Sequence, residues 1–440
     1  VIPQLVKAGK RIAIAEGGRV GGSCVNYGCT PTKTLVASAR AAHMARRGPD
    51  FGVQTGEISI DYGKVRERMN TIRNHNSASL ATWLKGLAGV DFYGDYATFV
   101  DAHTVSVGDE QIRGETIVVH TGARARKPPI PGLDEVDWLD NVRLLDLPTL
   151  PQHLVILGGS YISLEFAQAF RRFGSAVTII ERGPQMMFRE DEDIAAIAHD
   201  LLTSAGITVH LNATVERVAP TGDGVDVFFT QDEEGHTVRG SHLLVAAGRT
   251  PNTDQLNLAA AGVTTDERGY IPVNDVLQSN IPHIYALGDV NGEGAFTHTS
   301  VNDGQIFWDH YSGTGDRKLA DRNLIYAMYI DPPLGRVGID EQAARQSDRT
   351  ILMATKPLSE ISRAIEKAET TGLVKIFVDA ESEQIVGATV FGTGGDEIIS
   401  LFATFMMTKQ SYKVFQRAVL PHPTVAELMP FILEELEPVR

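Results

Sequence analysis

The chain has 440 residues, a length that exceeds one ordinary domain core and predicts two or three domains. Its composition, 43% hydrophobic and 22% charged, is typical of a compact globular protein and not of a disordered or fibrous one. The 55 acidic residues outnumber the 40 basic ones and leave a net charge of -15, which argues against a nucleic-acid or anionic-membrane partner.

The beginning of the chain has the pattern of a helix end followed by a strand. Residue 1 is Val and the helix pattern stops at Gly9, so we expect a preceding segment, and a targeting signal stays open. Residues 10–16 form an apolar run that ends in an acid, which predicts a buried parallel strand. The longest apolar runs, such as residues 401–407, are too short to span a bilayer.

The same pattern recurs later in the chain, and there the strand and the turn that precede the helix are present as well. The sequence predicts a strand at residues 154–157, a glycine-rich turn at 158–160 and a helix at 161–173. A second strand, which ends in an acid, is predicted at 175–181. Strands that run into small-residue turns also occur twice, at 115–123 and 242–249. We therefore predict two βαβ nucleotide-binding units, the first visible only from the end of its helix onward.

Two further segments separate these units from the rest of the chain. The Pro-rich residues 127–132, with the acidic loop up to 146, are typical of a connection between domains. Beyond about residue 315 the pattern changes, because alternating strands at 372–378 and 384–390 mix with amphipathic helices. This mixture predicts a separate α+β domain.

Both cysteines of the chain lie in one motif, GGSCVNYGCTPTK at residues 21–33. A zinc site is a poor interpretation, because no further Cys or nearby His completes a set of four ligands. A structural disulfide across so short a loop would add little stability and would be unusual inside a cell. A redox-active dithiol remains, with a pair of inert buried thiols as the alternative.

The residues after the second cysteine favour the redox interpretation. Thr30 suits the N-cap of a helix and Pro31 its first position. Cys29 is then expected beside a helix N-terminus, whose partial positive charge stabilises a thiolate. Lys33 adds a cation one turn into that helix.

The cysteine motif resembles the active-site signature of the flavoprotein disulfide reductases, G-G-T-C-x-N-x-G-C-x-P-x-K, with Ser23 in place of Thr. The resemblance extends over essentially the whole chain and is strongest to mercuric reductase-like members. It implies an oxidoreductase that uses FAD and NADH or NADPH. It also implies that Cys24 is the interchange thiol, that Cys29 faces the flavin, and that Lys33 lies near the flavin and pairs with Glu165.

The resemblance also implies an α/β fold with two Rossmann-like nucleotide-binding domains, for FAD and NAD(P), and a C-terminal α+β dimerisation domain. The FAD domain is expected to be discontinuous, because the NAD(P) domain is inserted into it. The expected bounds are 1–148 for the first part of the FAD domain, 149–265 for the NAD(P) domain, 266–320 for the second FAD part and 321–440 for the dimerisation domain.

The first unit is expected to bind FAD, with its phosphate turn in the preceding segment. Glu16, at a strand end, is the expected ribose acceptor, and a solvated strand-end acid is the alternative. The phrase Gly288-Asp289 follows a buried strand and is similar to the family's second FAD motif, in which Asp289 accepts from the ribityl hydroxyls. An ordinary turn Asp is the alternative. Further expected cofactor contacts are Gly22, Lys33, Thr121, Gly122, Gly248 and Arg249.

The second unit is expected to bind the nicotinamide cofactor. Its turn, Gly158-Gly159-Ser160, departs from G-x-G-x-x-G at Ser160, a residue still small enough for the backbone to approach a pyrophosphate. By the resemblance, Tyr161 covers the nicotinamide pocket, and a core tyrosine is the alternative.

One acidic residue bears on the choice between the two nicotinamide cofactors. Glu181 ends the second strand of this unit, where a carboxylate accepts from both ribose hydroxyls of NAD and repels the 2′-phosphate of NADP. We therefore expect NADH to be preferred. Arg182 and Arg189 are the residues that would contact the 2′-phosphate instead.

Near the C-terminus, His422 and Glu427 lie in an H-P-T-x-x-E phrase that resembles the family's C-terminal motif. The resemblance implies that His422 is the general acid/base for the dithiol and that Glu427 orients it. An imidazole titrates in the range needed to deprotonate one thiol and reprotonate another. In the family this His reaches the active site of the other subunit, so a homodimer is expected.

The expected electron acceptor is a small-molecule disulfide or a metal ion. The enzyme is expected to be cytoplasmic, to hold no resident metal, and to have no nucleic-acid or membrane partner. Residues 164–170 and 189–191 look most like mercuric reductase. That enzyme carries an extra cysteine pair near its C-terminus, whereas residues 434–440 contain none, which argues against efficient mercury handling. The alternatives are dihydrolipoamide dehydrogenase and a slow-turnover redox sensor on the same fold. Dihydrolipoamide dehydrogenase usually has the sequence I-P-S-K where this chain has T-P-T-K at residues 30–33.

Overall fold

The computed structural model describes residues 1–439. The α-helices are α1 (Ile2–Lys7), α2 (Gly22–Tyr27), α3 (Cys29–Arg46), α4 (Tyr62–Lys85), α5 (Asn141–Leu145), α6 (Tyr161–Phe173), α7 (Glu192–Ser204), α8 (Thr297–Ser312), α9 (Glu341–Arg345), α10 (Ser362–Glu366), α11 (Gly395–Met407), α12 (Tyr412–Phe415) and α13 (Met429–Ile432). Short 3-10 helices lie at Gly48–Phe51, Leu133–Glu135, Leu258–Ala261, Gly288–Asn291, Leu319–Asp321, Leu358–Glu360 and Ala426–Leu428. Across residues 1–439, no helix combines the length and the apolar character that a membrane crossing requires.

The strands connect these helices in a mixed α/β order. They are β1 (Ile12–Ala15), β2 (Val90–Tyr93), β3 (Ala97–Asp101), β4 (Thr104–Val107), β5 (Glu110–Arg113), β6 (Ile117–Val119), β7 (Ala123–Ala125), β8 (His153–Leu157), β9 (Ala176–Ile180), β10 (Thr208–His210), β11 (Ala213–Pro220), β12 (Val225–Gln231), β13 (Glu234–Gly240), β14 (His242–Val245), β15 (Arg249–Pro251), β16 (Ile284–Ala286), β17 (Ile325–Met328), β18 (Leu334–Gly338), β19 (Ile351–Pro357), β20 (Leu373–Asp379), β21 (Ile385–Phe391) and β22 (Glu437–Pro438).

These elements form two compact units, each assembled from three stretches of the chain. Unit 1 contains residues 1–34, 63–127 and 248–322. Unit 2 contains residues 35–62 and 128–247, and the described chain from Asn323 onward. The mixed α/β fold class predicted from the sequence is confirmed.

Unit 1 contains two parallel strand pairs, β1 with β2 and β6 with β16. Strands β3, β4 and β5 form an antiparallel sheet, and β7 pairs with β15 in the antiparallel direction. Val119, Ile284 and Ala286 are buried in a common apolar cluster. Because β6 and β16 run parallel, the residues that follow them, from 120 and from 287, lie at the same edge of the pair.

Strand β1 differs from its sequence-based prediction. It is parallel, as predicted, but Ala13 and Ala15 are exposed, and the intervening isoleucines are only partly buried. Among the described residues only β2 pairs with β1, so its second edge has no strand against it. The apolar run therefore predicted the strand and its direction correctly.

Unit 2 contains the second predicted βαβ unit, at the predicted positions. Strands β10, β9, β8 and β14 form a parallel sheet in that order, and α6 connects β8 to β9. The strands are apolar because their central residues are buried, as Ile156 and Ile179 show. Helix α6 ends at Gly174, which takes a φ of +119° that an L-residue rarely adopts.

The C-terminal part of unit 2 forms a second sheet, with the order β17-β18-β21-β20-β19-β22. Neighbouring strands in it are antiparallel, and β20 and β21 correspond to the two alternating segments expected in the sequence. Helix α11 packs Ile399 and Phe402 into the apolar core of this part of the chain.

A cluster of ionised side chains surrounds one lysine in unit 2. Lys375 is 1% exposed, and its Nζ lies 3.1 Å from Asp191, 2.8 Å from Asp193 and 2.6 Å from Glu341. Three carboxylates at such spacing could hold a metal ion, but the ammonium group already contacts all three. The cluster therefore joins the start of α7 to β20 and α9 by ion pairs.

Candidate active site and cofactor sites

The cysteine motif folds into two helices that meet at Gly28. Helix α2 contains Cys24, and α3 begins at Cys29, because the Thr32 amide donates to the Gly28 carbonyl at 3.0 Å. A Cβ on Gly28 would lie 3.0 Å from the Ser23 carbonyl oxygen, so glycine allows the two helices to approach.

The predicted start of α3 was two residues too late. Thr30 lies inside the first turn and is not the N-cap, and Pro31 is the third helical residue and not the first. The proline is tolerated there because the first four amides of a helix have no partner within the helix. Cys29 therefore occupies the first position of α3, which places it in the positive end of the helix dipole.

Asn26 fixes the loop in front of the first cysteine. It is fully buried, and its Nδ2 donates to the carbonyls of Arg19, Val20 and Gly22 at 3.0–3.2 Å. The Ser77 hydroxyl on α4 also donates to the Val20 carbonyl, at 2.7 Å. The sequence analysis gave Asn26 no role, although this residue is part of the cysteine signature.

The two thiols differ in acidity because they interact with each other. A hydrogen bond from Cys24 lowers the pKa of Cys29 to about 6, against local desolvation, with further help from Thr297 and the charge of Lys33. The same hydrogen bond, together with burial, raises the pKa of Cys24. At neutral pH the pair therefore consists of a Cys29 thiolate and a protonated Cys24, and no disulfide joins the two sulfur atoms in this structure.

Thr297 is a contact of the dithiol that the sequence analysis missed. Its Oγ1 lies 3.3 Å from the Cys29 Sγ, although the two residues are 268 positions apart. Thr297 is also the first residue of α8, so the thiolate lies beside a second helix N-terminus. The available sequence signal was the Gly-Asp phrase followed by a helix near residue 297.

The predicted partner of Lys33 has a backbone contact of its own. Glu165, on α6, is 2% exposed, and its Oε1 accepts a hydrogen bond from the Tyr329 amide at 2.9 Å. This bond connects α6 to the stretch after β17. The expected pairing of Lys33 with Glu165 stays a prediction.

In unit 1, the edge shared by β6 and β16 has the features of a flavin site. Gly288 has a φ of +71°, and a Cβ there would lie 2.8 Å from His120 Nε2 and 2.9 Å from Ser300 Oγ. Asp289 lies 3.3 Å from Arg249 Nη2, and burial raises the pKa of Asp289 against the effects of Arg249 and His120. Arg249 Nε is buried without a hydrogen-bond partner among the described residues, so a donor remains for a ligand oxygen.

Glu16, the expected FAD ribose acceptor, and several other expected cofactor contacts lie in the same unit. Glu16 follows β1, and its Oε1 accepts from the Gly18 amide at 2.9 Å. Gly22 and Gly122 have left-handed φ values, and a Cβ on either would meet no atom within 4 Å, so the backbone there is accessible. The Thr121 hydroxyl donates to the Asn252 carbonyl at 2.8 Å. The set of donors and acceptors in this unit fits FAD. It consists of the Glu16 carboxylate, the accessible backbone of Gly22 and Gly122, and the Nε of Arg249.

Residues at the boundary of unit 1 shape the turn beside Arg249. Gly248 has a φ of +110°, and its carbonyl accepts from the Arg126 amide at 2.9 Å. Arg249 then begins β15, where it pairs with Ala125 on β7. Both residues therefore lie with the FAD candidates of unit 1 and not with the parallel sheet of unit 2.

The glycine-rich turn of unit 2 fits a dinucleotide. Gly158 has a φ of +104°, and a Cβ there would lie 2.7 Å from the Ala246 carbonyl, so only glycine allows this packing. Ser160 is the N-cap of α6 but makes no capping bond with its side chain. Tyr161, the first residue of the helix, is partly exposed. The turn therefore presents a helix N-terminus of the kind that binds a pyrophosphate.

Glu181 lies against this turn. One carboxylate oxygen accepts from the Gly159 amide at 2.5 Å, and the other accepts from the Gly183 amide at 2.7 Å. A carboxylate has about four acceptor sites, so positions remain for two ribose hydroxyls. Arg182 and Arg189 are both exposed. Glu181 thus lies beside the glycine-rich turn, and its expected contact with the ribose stays a prediction.

The C-terminal acid–base residues are also brought together, within unit 2. His422 Nδ1 lies 2.9 and 3.0 Å from the two oxygens of Glu427. The His422 side chain is 77% exposed in the single chain, whereas that of Glu427 is 14% exposed. Such a carboxylate fixes the tautomer and the orientation of the ring, and the exposed ring is accessible to another protein surface.

Family models match nearly the whole described chain. The model of the pyridine nucleotide-disulphide oxidoreductases covers residues 2–304, and that of their dimerisation domain covers residues 325–430. The probable pyridine nucleotide-disulfide oxidoreductase RclA of Escherichia coli (strain K12) is 36% identical over 96% of this chain and 93% of its own length.

Other relatives and one solved structure agree. A mercuric reductase of Streptomyces lividans is 32% identical over 96% of this chain and 90% of its own, and a dihydrolipoyl dehydrogenase of Bacillus subtilis (strain 168) is 30% identical over 96% and 92%. The Cu(II) complex of the HOCl-induced flavoprotein disulfide reductase RclA from Escherichia coli superposes with a TM-score of 0.88, at 34% identity, over 98% of this chain and 95% of that one. The chain therefore belongs to the pyridine nucleotide-disulphide oxidoreductase family and is an oxidoreductase that uses FAD and NAD(P)H.

Proposed function

We propose that this enzyme passes electrons from NADH, through FAD and the Cys24–Cys29 pair, to a metal ion or a small-molecule disulfide. The observation that carries the proposal is the asymmetry of the two thiols, because Cys29 has a pKa of about 6 while the pKa of Cys24 is raised. When bound, FAD supplies the hydride acceptor and a two-electron path to the cysteine pair.

The residues of the chain then have distinct roles. Cys29 is stabilised as a thiolate by Cys24, Thr297 and Lys33, and it is the thiol that faces the flavin. Cys24 is the interchange thiol that meets the acceptor. His422, oriented by Glu427, takes the proton of Cys24 when that thiol attacks and returns one to the product.

The proposal includes a homodimer in which His422 serves the cysteines of the partner chain. Its support is the match of residues 325–430 to the family's dimerisation domain and the exposure of the His422 ring in a single chain. The proposed domains are an FAD domain at 1–148 and 266–320, an NAD(P) domain at 149–265, and a dimerisation domain at 321–440. We propose a cytoplasmic location, where NADH is supplied and a cycling thiol pair is kept reducible.

We propose a metal ion as the first acceptor to test. The E. coli relative RclA has been solved as a Cu(II) complex, and several relatives are mercuric reductases. One NADH carries two electrons, so it would reduce two Cu(II) ions to Cu(I), or one Hg(II) to Hg(0), and release NAD⁺ and a proton. We favour neither a slow redox sensor nor dihydrolipoamide dehydrogenase, whose signature usually reads I-P-S-K where this chain has Thr30-Pro31-Thr32-Lys33.

The test is steady-state NADH consumption with a panel of Cu(II), Hg(II), lipoamide, glutathione disulfide and a quinone. The matched control is the double variant Cys24→Ser/Cys29→Ser, which keeps both nucleotide sites. We expect turnover with a metal ion or a disulfide in the wild-type enzyme and its loss in the double variant. Equal turnover by both proteins with every acceptor would refute the proposed dithiol path.

A further inference from the structure

The loop between β9 and α7 carries an exposed aromatic side chain that the proposed electron path does not use. The loop spans residues 182–191 and directly follows Glu181, the expected ribose acceptor. Within it Met186 and Met187 are buried, whereas Phe188 is 69% exposed. The Arg189 guanidinium lies over the Phe188 ring, 5.4 Å from its centroid, and the rest of the ring surface is open to a ligand.

Hydrogen bonds join this loop to the glycine-rich turn of the same unit. The Met187 amide donates to the Gly159 carbonyl at 2.8 Å. The Gly159 amide in turn donates to the Glu181 carboxylate at 2.5 Å. Glu181, Gly159 and Met187 are thus connected by consecutive contacts, and Phe188 is the next residue of the chain. The phenyl ring is therefore attached one residue away from the turn against which Glu181 lies.

The backbone is held on both sides of Phe188. Met187 has a left-handed φ of +51°, and its carbonyl accepts from the Glu190 amide at 2.7 Å. On the other side, the buried Arg336 donates from Nη1 to the Arg189 carbonyl at 2.8 Å. A single exposed phenylalanine is ordinary on a protein surface. One that is displayed on a fixed backbone has less conformational freedom to lose when a ligand covers it.

The chemistry of a dinucleotide indicates which part of it meets this ring. In a βαβ unit the acid at the end of the second strand binds the ribose of the adenosine half, and the pyrophosphate lies at the helix N-terminus. Adenine is attached to that same ribose, so it lies next to the sugar that Glu181 is expected to hold. Adenine has a flat, uncharged π-face, which an aromatic side chain binds well.

We propose that Phe188 is a further binding residue for the nicotinamide cofactor, with its ring packed against the adenine. The inference rests on the proposed use of NADH with Glu181 as the ribose acceptor. NADH and NADPH share the adenine and differ at the 2′ position. Phe188 therefore contributes affinity for both cofactors, whereas Glu181 determines which of the two is preferred.

The first test measures ADP-ribose binding to the FAD-bound enzyme by calorimetry, because ADP-ribose contains the adenosine half without the nicotinamide. Phe188→Ala removes the ring, and Phe188→Trp keeps an aromatic surface. Phe51→Ala is the matched control, since Phe51 is also an exposed phenylalanine of unit 2 and has the Arg47 guanidinium 5.3 Å from its ring centroid. We expect roughly tenfold weaker binding in Phe188→Ala and wild-type binding in the other two variants.

A second measurement gives a result that a general structural defect would not produce. Flavin reduction is followed by anaerobic rapid mixing with NADH, with NADPH and with reduced nicotinamide mononucleotide, which lacks the adenine. Phe188→Ala should raise the apparent Kd for NADH and for NADPH by the same factor, roughly tenfold, without changing the limiting rate. The reaction of the mononucleotide should be the same in both proteins.

The possible outcomes separate the role of Phe188 from the proposed function. Unchanged ADP-ribose binding in Phe188→Ala, or an equal loss with the mononucleotide, would overturn the adenine contact while the use of the cofactor stands. Unequal effects on NADH and NADPH would also contradict it, because they would assign Phe188 to the 2′ position. A wild-type enzyme whose flavin is reduced by neither NADH nor NADPH would refute the proposed function itself.

Discussion

The hydrogen bond from Cys24 lowers the pKa of Cys29 more than any other contact does, and a pair of substitutions isolates its effect. Cys24→Ala removes the donor, whereas Cys24→Ser keeps a hydroxyl in its place. A hydrogen bond to a charged group contributes about 1.5–3 kcal/mol, which corresponds to a pKa change of about 1–2. Cys24→Ala should therefore move the pKa of Cys29 from about 6 to about 7–8, and Cys24→Ser should leave it near 6.

The change is large enough to measure at neutral pH. A thiol with a pKa of about 6 is roughly 90% thiolate at pH 7, and one with a pKa of 7–8 is roughly 10–50% thiolate. The assay follows the thiolate-to-flavin charge-transfer band of the FAD-bound variants as a function of pH, with iodoacetamide reactivity as a second readout. The midpoint, and not the rate, is compared, because the nucleophilicity of a thiolate rises with its pKa. Equal midpoints in Cys24→Ala and Cys24→Ser would refute the hydrogen-bond explanation.

Three further predictions concern the cofactor, the fold and the dimer. Glu181→Ala should reduce the preference of kcat/KM for NADH over NADPH, and a wild-type preference for NADPH would contradict the role of Glu181. Lys375→Met removes the buried cation shared by Asp191, Asp193 and Glu341, although Glu341 keeps its pair with Arg345, and should destabilise the FAD-bound enzyme by about 3–5 kcal/mol in urea unfolding. Lys356→Met, whose two glutamate partners are about half exposed, should change it little. A mixed dimer of Cys29→Ser and His422→Ala chains should recover about half the wild-type activity, because one site then carries both lesions and the other neither; no recovery would place His422 in its own chain's site.

The local pattern of the sequence was sufficient for the second nucleotide-binding unit. Helix α6 begins at Tyr161 and stops before Gly174, as the apolar spacing and the glycine predicted. These features depend on residues close together in the chain, where periodicity and turn chemistry act directly. The start of α3 was misplaced because Thr30 and Pro31 are compatible with a cap, but the Gly28 carbonyl closes the first turn earlier.

The contacts that complete the candidate site were not visible in the sequence. Thr297 reaches Cys29 across 268 positions, and His120 reaches Ser300 across 180. The contact of His120 with Ser300 forms where the parallel strands β6 and β16 end at one edge. The contact of Cys29 with Thr297 joins the first residues of two helices, and no local pattern records which side chains then meet.

The most direct test of the electron path is an anaerobic titration that counts the electrons taken up per FAD. If Cys24 and Cys29 form the redox pair, the oxidised wild-type enzyme accepts two electron pairs, one for the disulfide and one for the flavin. The long-wavelength band should appear after the first pair, and Cys24→Ser/Cys29→Ser should accept a single pair without it. A wild-type enzyme that accepts only one pair, with its cysteines unchanged, would contradict the proposed path through Cys24 and Cys29.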